Sequence, residues 1–384
     1  MNRIGLLPRV LLAILLGVAL GQFLPVGAVR VFVTFNGLFS QFLGFMIPLI
    51  IIGLVTAAIA RIGIGAGKLL LATVVIAYLD TVVSALLAYG TGSLLFPSMV
   101  SATADTHIMK PEDIAPYFSV AIPQMIDVMS ALVFSFLMGL CIAHARLQTL
   151  RGVFDELEKI VSLVIGKVII PLLPIYIFGI FLSMTRSGQV FHILEVFTMI
   201  ILVIFVLHLF ILFYEFVAAG LLTRRNPLKM LATMLPAYFT ALGTASSAAT
   251  IPVTMRQTVK NGVSESIAGF TIPLCATIHM SGSAMKITAC ALTVCLLNGI
   301  PYDFPLFLHF ILLLAICMVA GPGVPGGAVM AALAPMSSVL GFGMEEQALI
   351  IALYIAMDSF GTACNVTGDG AIAVVLEKYF RRKD

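Results

Sequence analysis

Apolar runs too long for a soluble core constrain this chain more than any other feature. Eight of them lie near residues 6–26, 36–60, 69–96, 120–145, 158–184, 194–222, 265–297 and 343–378. A helix needs about 20 apolar residues to cross a bilayer, since each residue advances it by only about 1.5 Å. Inside hydrocarbon every backbone N–H and C=O has to bond within the segment, so runs of this length read as helices. Composition agrees: 61% of the 384 residues are hydrophobic and 10% are charged, against about 45–50% and about 25% in soluble domains. The expected class is an all-α polytopic membrane protein. The stretch 10–24 has the length of a secretory signal, but it has no good small-residue cleavage site and more spans follow. It is read as a retained first helix. The six cysteines fall in apolar runs without CxxC spacing and read as small buried hydrophobes. No basic cluster carries interleaved aromatics, so no nucleic-acid partner is expected.

Two further stretches, 227–256 and 303–341, are apolar but interrupted by Ser, Gly and Pro. Each reads as two half-helices meeting at a small-residue tip, a re-entrant hairpin. Irregular backbone at membrane depth survives only inside protein or beside water, so such tips line sites. Charge placement supports this map. With a cytoplasmic N-terminus and both hairpins returning to their side of entry, 16 of the 21 Lys and Arg fall inside. Arg30, Lys110 and Arg186 fall outside, and Lys167 and Lys286 within membrane segments. That bias follows the positive-inside rule, and both termini come out cytoplasmic. The loop 101–116 is placed outside.

The last apolar run contains MDSFGTACNVTGDGA at 357–371. Asp358, Thr362, Asn365 and Asp369 recur at i, i+4, i+7 and i+11, so one helical face carries them. A charge at bilayer depth costs roughly 2.5–3.5 kcal/mol on insertion scales, so two aspartates there need a partner: a cation, a ligand, water or a basic side chain. Carboxylate, amide and hydroxyl oxygens suit a hard cation such as sodium. The plain alternative is a hydrogen-bonded helix contact with protonated aspartates. Ser246 and Ser247, in TASSAAT at the first hairpin tip, offer hydroxyls and free N–H groups for a carboxylate. GPGVPGG at 321–327 suits a gate or a plain turn. IHMSGSAMK places His279, Ser281, Ser283 and Lys286 in one run, with Ser281, Gly282 and Ser283 expected at an unwound break that exposes carbonyls. Asp80 lies mid-run in IAYLDTVVSA. Asp80 and Lys286, as opposite intramembrane charges, are expected to pair with each other. The rival is a lysine that snorkels to the interface beside a protonated Asp80.

Four runs together resemble one family, the glutamate-transporter homologues or dicarboxylate/amino-acid:cation symporters. They are SSAATIPVTMR (246–256), IAGFTIPLCATIHMSGS (267–283), AGPGVPGG (320–327) and DSFGTACNVTGDG (358–370). The clear resemblance covers residues 225–384. It implies a fold of eight transmembrane helices plus two re-entrant hairpins, an elevator-type mechanism and a homotrimer. Implied divisions are scaffold helices one and two at 1–66, helix three of the transport domain at 67–100, scaffold helices four and five at 101–190, and the rest of the transport domain at 191–384. By the same resemblance Asp358 holds a substrate amino group, Thr362 and Asn365 are polar substrate contacts, and Asn365 and Asp369 lie at a sodium site. Ser247 meets the substrate carboxylate, and Gly323 and Val324 form the gate. The departures are informative. Gly361 stands where the family has an arginine for a side-chain carboxylate. His279-Met280-Ser281-Gly282-Ser283 replaces Asn-Met-Asp-Gly-Thr, losing two sodium-binding side chains. Lys286 replaces a tyrosine linked to potassium countertransport, and Asp80 falls beside Tyr78 and Thr81 of another sodium site.

The function expected from these residues is symport of a small amino acid, neutral because Gly361 leaves the pocket uncharged, across the cell (inner) membrane. Substrate-site residues are Ser246, Ser247, Ser283, Gly323, Val324, Asp358, Gly361, Thr362 and Asn365. Coupling residues are Asp80, Thr81, His279, Lys286, Asn365 and Asp369. The coupling ion is sodium, at Asp369 and Asn365, and/or a proton at His279 or Asp80; no other cofactor is expected. The alternative is an acidic amino acid or dicarboxylate met by Lys286. A channel would need a continuous polar pore. An intramembrane hydrolase would need His279 and Ser283 to act as base and nucleophile.

Overall fold

The computed structural model describes residues 6–62, 68–101, 114–186, 190–319 and 326–380. Among them every regular element is helical. The first four helices are α1 (Leu6–Gly21), α2 (Val26–Ile62), α3 (Lys68–Ser101) and α4 (Val128–Ala145). Then α5 (Gln148–Val164) runs through a π-helical turn (Ile165–Ile169) into α6 (Ile170–Arg186), one apolar length of 39 residues. The long α7 (Val190–Thr223) follows. Among the described residues five helical lengths are long and apolar enough to cross a membrane, Val26–Ala60, Lys68–Val100, Gln148–Arg186, Leu194–Thr223 and Glu265–Asn298, and the bent pair Glu345–Ala356 and Asp358–Phe380 makes six if it is one span.

The interrupted stretches fold as the small residues suggest. α8 (Pro227–Thr244) and α9 (Ser247–Lys260) pack on each other across a two-residue tip. Pro227 opens α8 behind Asn226, whose Oδ1 accepts from Lys229 N–H at 3.0 Å. At the tip Ala245 is left-handed (φ 48°) and Ser246 caps α9, its Oγ accepting from Ala249 N–H at 3.3 Å. α12 (Phe304–Val319) and α13 (Gly327–Ser338) likewise pack together. The segment joining them, with Gly323 and Val324, lies outside the described residues, as does most of the 101–116 loop.

Two expected single helices are each divided. The 265–297 run is α10 (Glu265–Ile278) and α11 (Ser281–Asn298), with the break at His279 and Met280. The break was expected at 281–283. Those residues instead form the first turn of α11, so they present N–H donors and not carbonyls. The 343–378 run is α14 (Met344–Ala356) and α15 (Asp358–Phe380), bent by 65° at Met357. The bend puts Asp358 in the first turn of α15, where a negative group favours the helix dipole.

α15 is buried without interruption from Gly361 to Glu377, and α11 from Ser281 to Cys295. Around α15 pack α7, α8, α9, α10 and α11, while α3 lies along α11. α1 packs on α6, and α2 on α4, α5 and α6. Leu71, Leu79, Leu94, Leu202, Val206 and Leu221 are exposed outward, as a lipid-facing surface requires. Of the cysteines, Cys141 on α4 is exposed and the other five are buried, all unpaired. Cys141 departs from the expected burial because α4 turns an apolar face outward at Val133, Leu137 and Leu140.

Candidate functional site

The α10–α11 break lies against α15, and the two together gather the polar residues into two clusters. The first surrounds Asp358. Its Oδ2 accepts from Gly326 N–H at 2.8 Å, which ties α15 to the second hairpin. Thr362 Oγ1 donates to Asp358 O at 3.1 Å. Asn365 Oδ1 accepts from Gly282 N–H at 2.9 Å and from Ser283 N–H at 3.4 Å. Asn365 Nδ2 donates to Ser283 Oγ at 3.1 Å, and Ser283 Oγ meets Tyr354 OH at 3.0 Å. Both lone pairs of the Asn365 carbonyl are therefore committed to the orphan N–H groups that open α11. The first hairpin reaches this helix through α9, which packs on α15; Ser247 is buried at its start.

Lys286 belongs to this cluster. It is 1% exposed, so it does not snorkel. Its Nζ donates to Met357 O at 2.9 Å and lies 4.3 Å from the centre of the Tyr354 ring. A Cβ built on Gly361 would stand 2.2 Å from Lys286 Nζ and 2.4 Å from Cε. Only glycine permits this approach, so the space that a side chain at 361 would occupy holds the lysine. The expected Lys286–Asp80 ion pair is absent. The lysine ammonium instead closes the end of α14, where a cation and an orphan carbonyl complement each other.

The second cluster surrounds His279. Its Nδ1 is 2.9 Å from Asp369 Oδ1 and its Nε2 is 2.8 Å from Asp80 Oδ2. Tyr214 OH donates to Asp80 Oδ1. Ser281 Oγ donates to Glu215 Oε1 at 2.8 Å. Thr81 Oγ1 donates to Ala77 O at 2.8 Å and accepts from Met280 N–H at 3.3 Å, so it braces the break. Tyr78, expected at a sodium site, donates to Leu312 O of α12 at 3.3 Å. His279 and Ser283 share no hydrogen bond, and the side-chain polar atoms of both have other partners. The base–nucleophile pair of a hydrolase is therefore not formed.

Glu215, Tyr214 and Tyr354 were not foreseen. Glu215 had a legible signal: it is a carboxylate inside the apolar run 194–222, the same anomaly that singled out Asp80. Nothing in the sequence alone sends a residue of α7 to Ser281.

Half-helices, a helix break and a bent last helix that converge on buried charged clusters define, among the described residues, a polytopic all-α membrane protein. The chain belongs to the sodium:dicarboxylate symporter family, whose model matches residues 6–379. These are transporters and not enzymes. The chain is 28% identical to Excitatory amino acid transporter 1 of Rattus norvegicus over 273 residues, 69% of this chain and 50% of that protein. It is 33% identical to Neutral amino acid transporter B(0) of Mus musculus over 163 residues, 42% of this chain and 29% of that protein. To Excitatory amino acid transporter 2 of Homo sapiens it is 33% identical over 148 residues, 38% of this chain and 26% of that protein. The chain thus spans about half the length of the first of these relatives.

The family name implies sodium, and the second cluster fits a hard cation. One ligand atom each from Asp80, Glu215 and His279 lies within 4.8 Å of the others. Oxygen-ligated hard cations sit about 2.3–2.6 Å from each donor, so donors of one ion stand up to about 5 Å apart. Both nitrogens of His279 are engaged by carboxylates. The remaining ligand atoms of the group are the carboxylate oxygens of Asp80 and Glu215, which suit a hard cation.

Proposed function

We propose that the chain is a secondary active symporter that carries a small neutral amino acid across the cell membrane with sodium. The observation that carries this reading is Asp358. It is a buried carboxylate at a helix start, held by the second hairpin through Gly326 N–H, with no cation within ion-pair distance among the described residues. A substrate ammonium would complete it by a charge-assisted hydrogen bond. The substrate carboxylate would fall to Ser246, Ser247 and the N-terminal N–H groups of α9, where the helix dipole favours an anion. Ser283, Thr362 and Asn365 would order the same pocket. Lys286, bound at the α14 end, balances the charge of Asp358 and leaves a site suited to a zwitterion. The coupling cation would bind at the His279 cluster when loaded, its carboxylates supplying the oxygens. Packing of α3 and α7 to α15 about that cluster supports a mobile unit moving against α1, α2, α4, α5 and α6 as an elevator, in a homotrimer.

One observation favours a second reading. Lys286 has one hydrogen-bond acceptor among the described residues, and an ammonium has three donors. A second substrate carboxylate could take the others, which would make the cargo an acidic amino acid or a dicarboxylate.

Competition against uptake into proteoliposomes under a sodium gradient separates the readings. Serine and alanine should compete, and Asp358→Asn should weaken binding at least tenfold, about 1.4 kcal/mol. Preference for aspartate or glutamate would select the second reading. Equal affinity in the Asn variant, or tight binding of a ligand without an amine, would remove the role of Asp358.

A further inference from the structure

We propose that Glu215 and Asp80 together hold the sodium ion, with Glu215 Oε2 as its main ligand; this rests on the symport reading above. Glu215 lies in the membrane-spanning part of α7 and is 6% exposed. Its Oε1 is anchored by Ser281 Oγ at 2.8 Å. Its Oε2 is buried and has no hydrogen-bond partner. That atom points at the backbone of α15: a Cβ at Gly368 would stand 2.5 Å from Oε2 and 2.8 Å from His279 Cε1. Glycine at 368 thus leaves room for a carboxylate whose Oε2 no described residue completes. A buried polar atom without a partner is uncommon in folded proteins, and a charged one more so.

Charge counting gives the ligand its sign. Three carboxylates converge here, from Asp80, Glu215 and Asp369. One imidazole lies among them, bridging Asp80 and Asp369. Even as imidazolium, donating both N–H groups, His279 offsets a single negative charge. Lys286 contributes nothing, because it is bound to Met357 O over the Tyr354 ring. Tyr214 and Ser281 donate hydrogen bonds but carry no charge. A cation from solution is the missing component. Asp80 and Glu215 each place a carboxylate oxygen within 4.8 Å of the other, within one ion's reach, and oxygen donors select a hard cation. Asn365, one of the positions expected from the motif, is less available, because its carbonyl already accepts two N–H groups.

The test uses the full chain in lipid nanodiscs, with sodium titrated against choline at constant ionic strength. The readouts are melting temperature and calorimetric binding. Wild type should show saturable stabilisation by sodium. Glu215→Gln should weaken the apparent sodium affinity at least tenfold, and should melt no lower than wild type in choline, since it removes an unpaired charge. A merely structural Glu215 would instead lower melting in choline and leave sodium affinity unchanged. If Glu215→Gln does not fold, Ser281→Ala and Glu215→Asp decide: each should weaken sodium binding, and unchanged affinity in both overturns the proposal. Equal sodium affinity in wild type and Glu215→Gln overturns it while leaving symport intact. Wild type that ignores sodium but drives uptake with a proton gradient also overturns it. Sodium binding lost in Glu215→Gln, in a protein that takes up no amino acid or dicarboxylate, would keep this site and remove the symport reading.

Discussion

The two ends of the polar face of α15 solve the same problem differently. At the Asp358 end, one carboxylate and one ammonium, Asp358 and Lys286, share a pocket bounded by Tyr354 and Gly361. At the Asp369 end, three carboxylates share one histidine. The first end balances within the chain, so a net-neutral ligand can enter and leave without changing its charge. The second balances only with a cation from outside. Separation of charge between the ends is what would make cation and cargo travel together, since His279 at the break meets Asp369 and the turn that follows it meets Asn365 through Gly282 N–H.

The comparison breaks most easily at His279, where the largest effect is expected. His279→Ala takes the imidazole from Asp369 and leaves Asp80 with the Tyr214 hydroxyl. Removing one partner of a buried pair costs about 3–5 kcal/mol. Thermal unfolding in detergent should show that loss, together with a broken α10–α11 junction in hydrogen exchange. A loss below about 1 kcal/mol would mean that the carboxylates are held by something other than His279.

Next in size is Gly361. The sequence alone suggests that Gly361→Arg would turn the pocket toward acidic substrates. The structure revises this, because a Cβ at 361 would stand 2.2 Å from Lys286 Nζ, so the buried lysine has to leave its bond to Met357 O to make room. Overpacking of this kind costs about 1–3 kcal/mol. Gly361→Arg should therefore destabilise the protein on its own. Combined with Lys286→Ala it should regain stability and bind aspartate better than serine, because guanidinium pairs bidentately with a carboxylate. A single Gly361→Arg variant that melts like wild type would show that Lys286 does not rest against this position.

What the sequence disclosed and what it hid follow from the range of each signal. Apolar run length is local, so the spans near 36–60, 69–96 and 194–222 stand almost where expected. The hairpins were legible because Ser, Gly and Pro interrupt their apolar runs, a local signal; in the first of them Ser246 caps α9 by a contact three residues away. The polar face of α15 was legible because 3.6-residue periodicity is local too. Partner choice was not. Lys286 and Asp80 are opposite charges at similar depth, and periodicity cannot tell which of several helices each one faces. Glu215 was passed over because the apolar residues around it, ILFYEFVAAG, dominate any window average. The bend at Met357 escaped notice because no proline or glycine run marks it; the Lys286 bond to Met357 O and the cap on Asp358 hold it instead.

The smallest expected effect is also the sharpest test of whether the two ends are separate. Were Lys286 and Asp80 a pair, each single substitution would strand the other charge, and the double variant would cost less than the sum. The structure gives them no common partner: Asp80 meets His279 and Tyr214, while Lys286 meets Met357 and Tyr354. Effects at independent sites add to within about 0.3–0.5 kcal/mol, whereas residues in one network couple by about 0.5–3 kcal/mol. The cycle of Lys286→Met with Asp80→Asn should therefore close additively on melting stability. The cycle of His279→Ala with Asp80→Asn should not, because neutralising Asp80 removes part of what the lost imidazole leaves exposed. Running both cycles on one protein controls for global loosening, which would spoil additivity in each alike. Coupling in the first cycle and none in the second would join Lys286 to the cation cluster, and the division of α15 into a balanced end and an unbalanced end would fail with it.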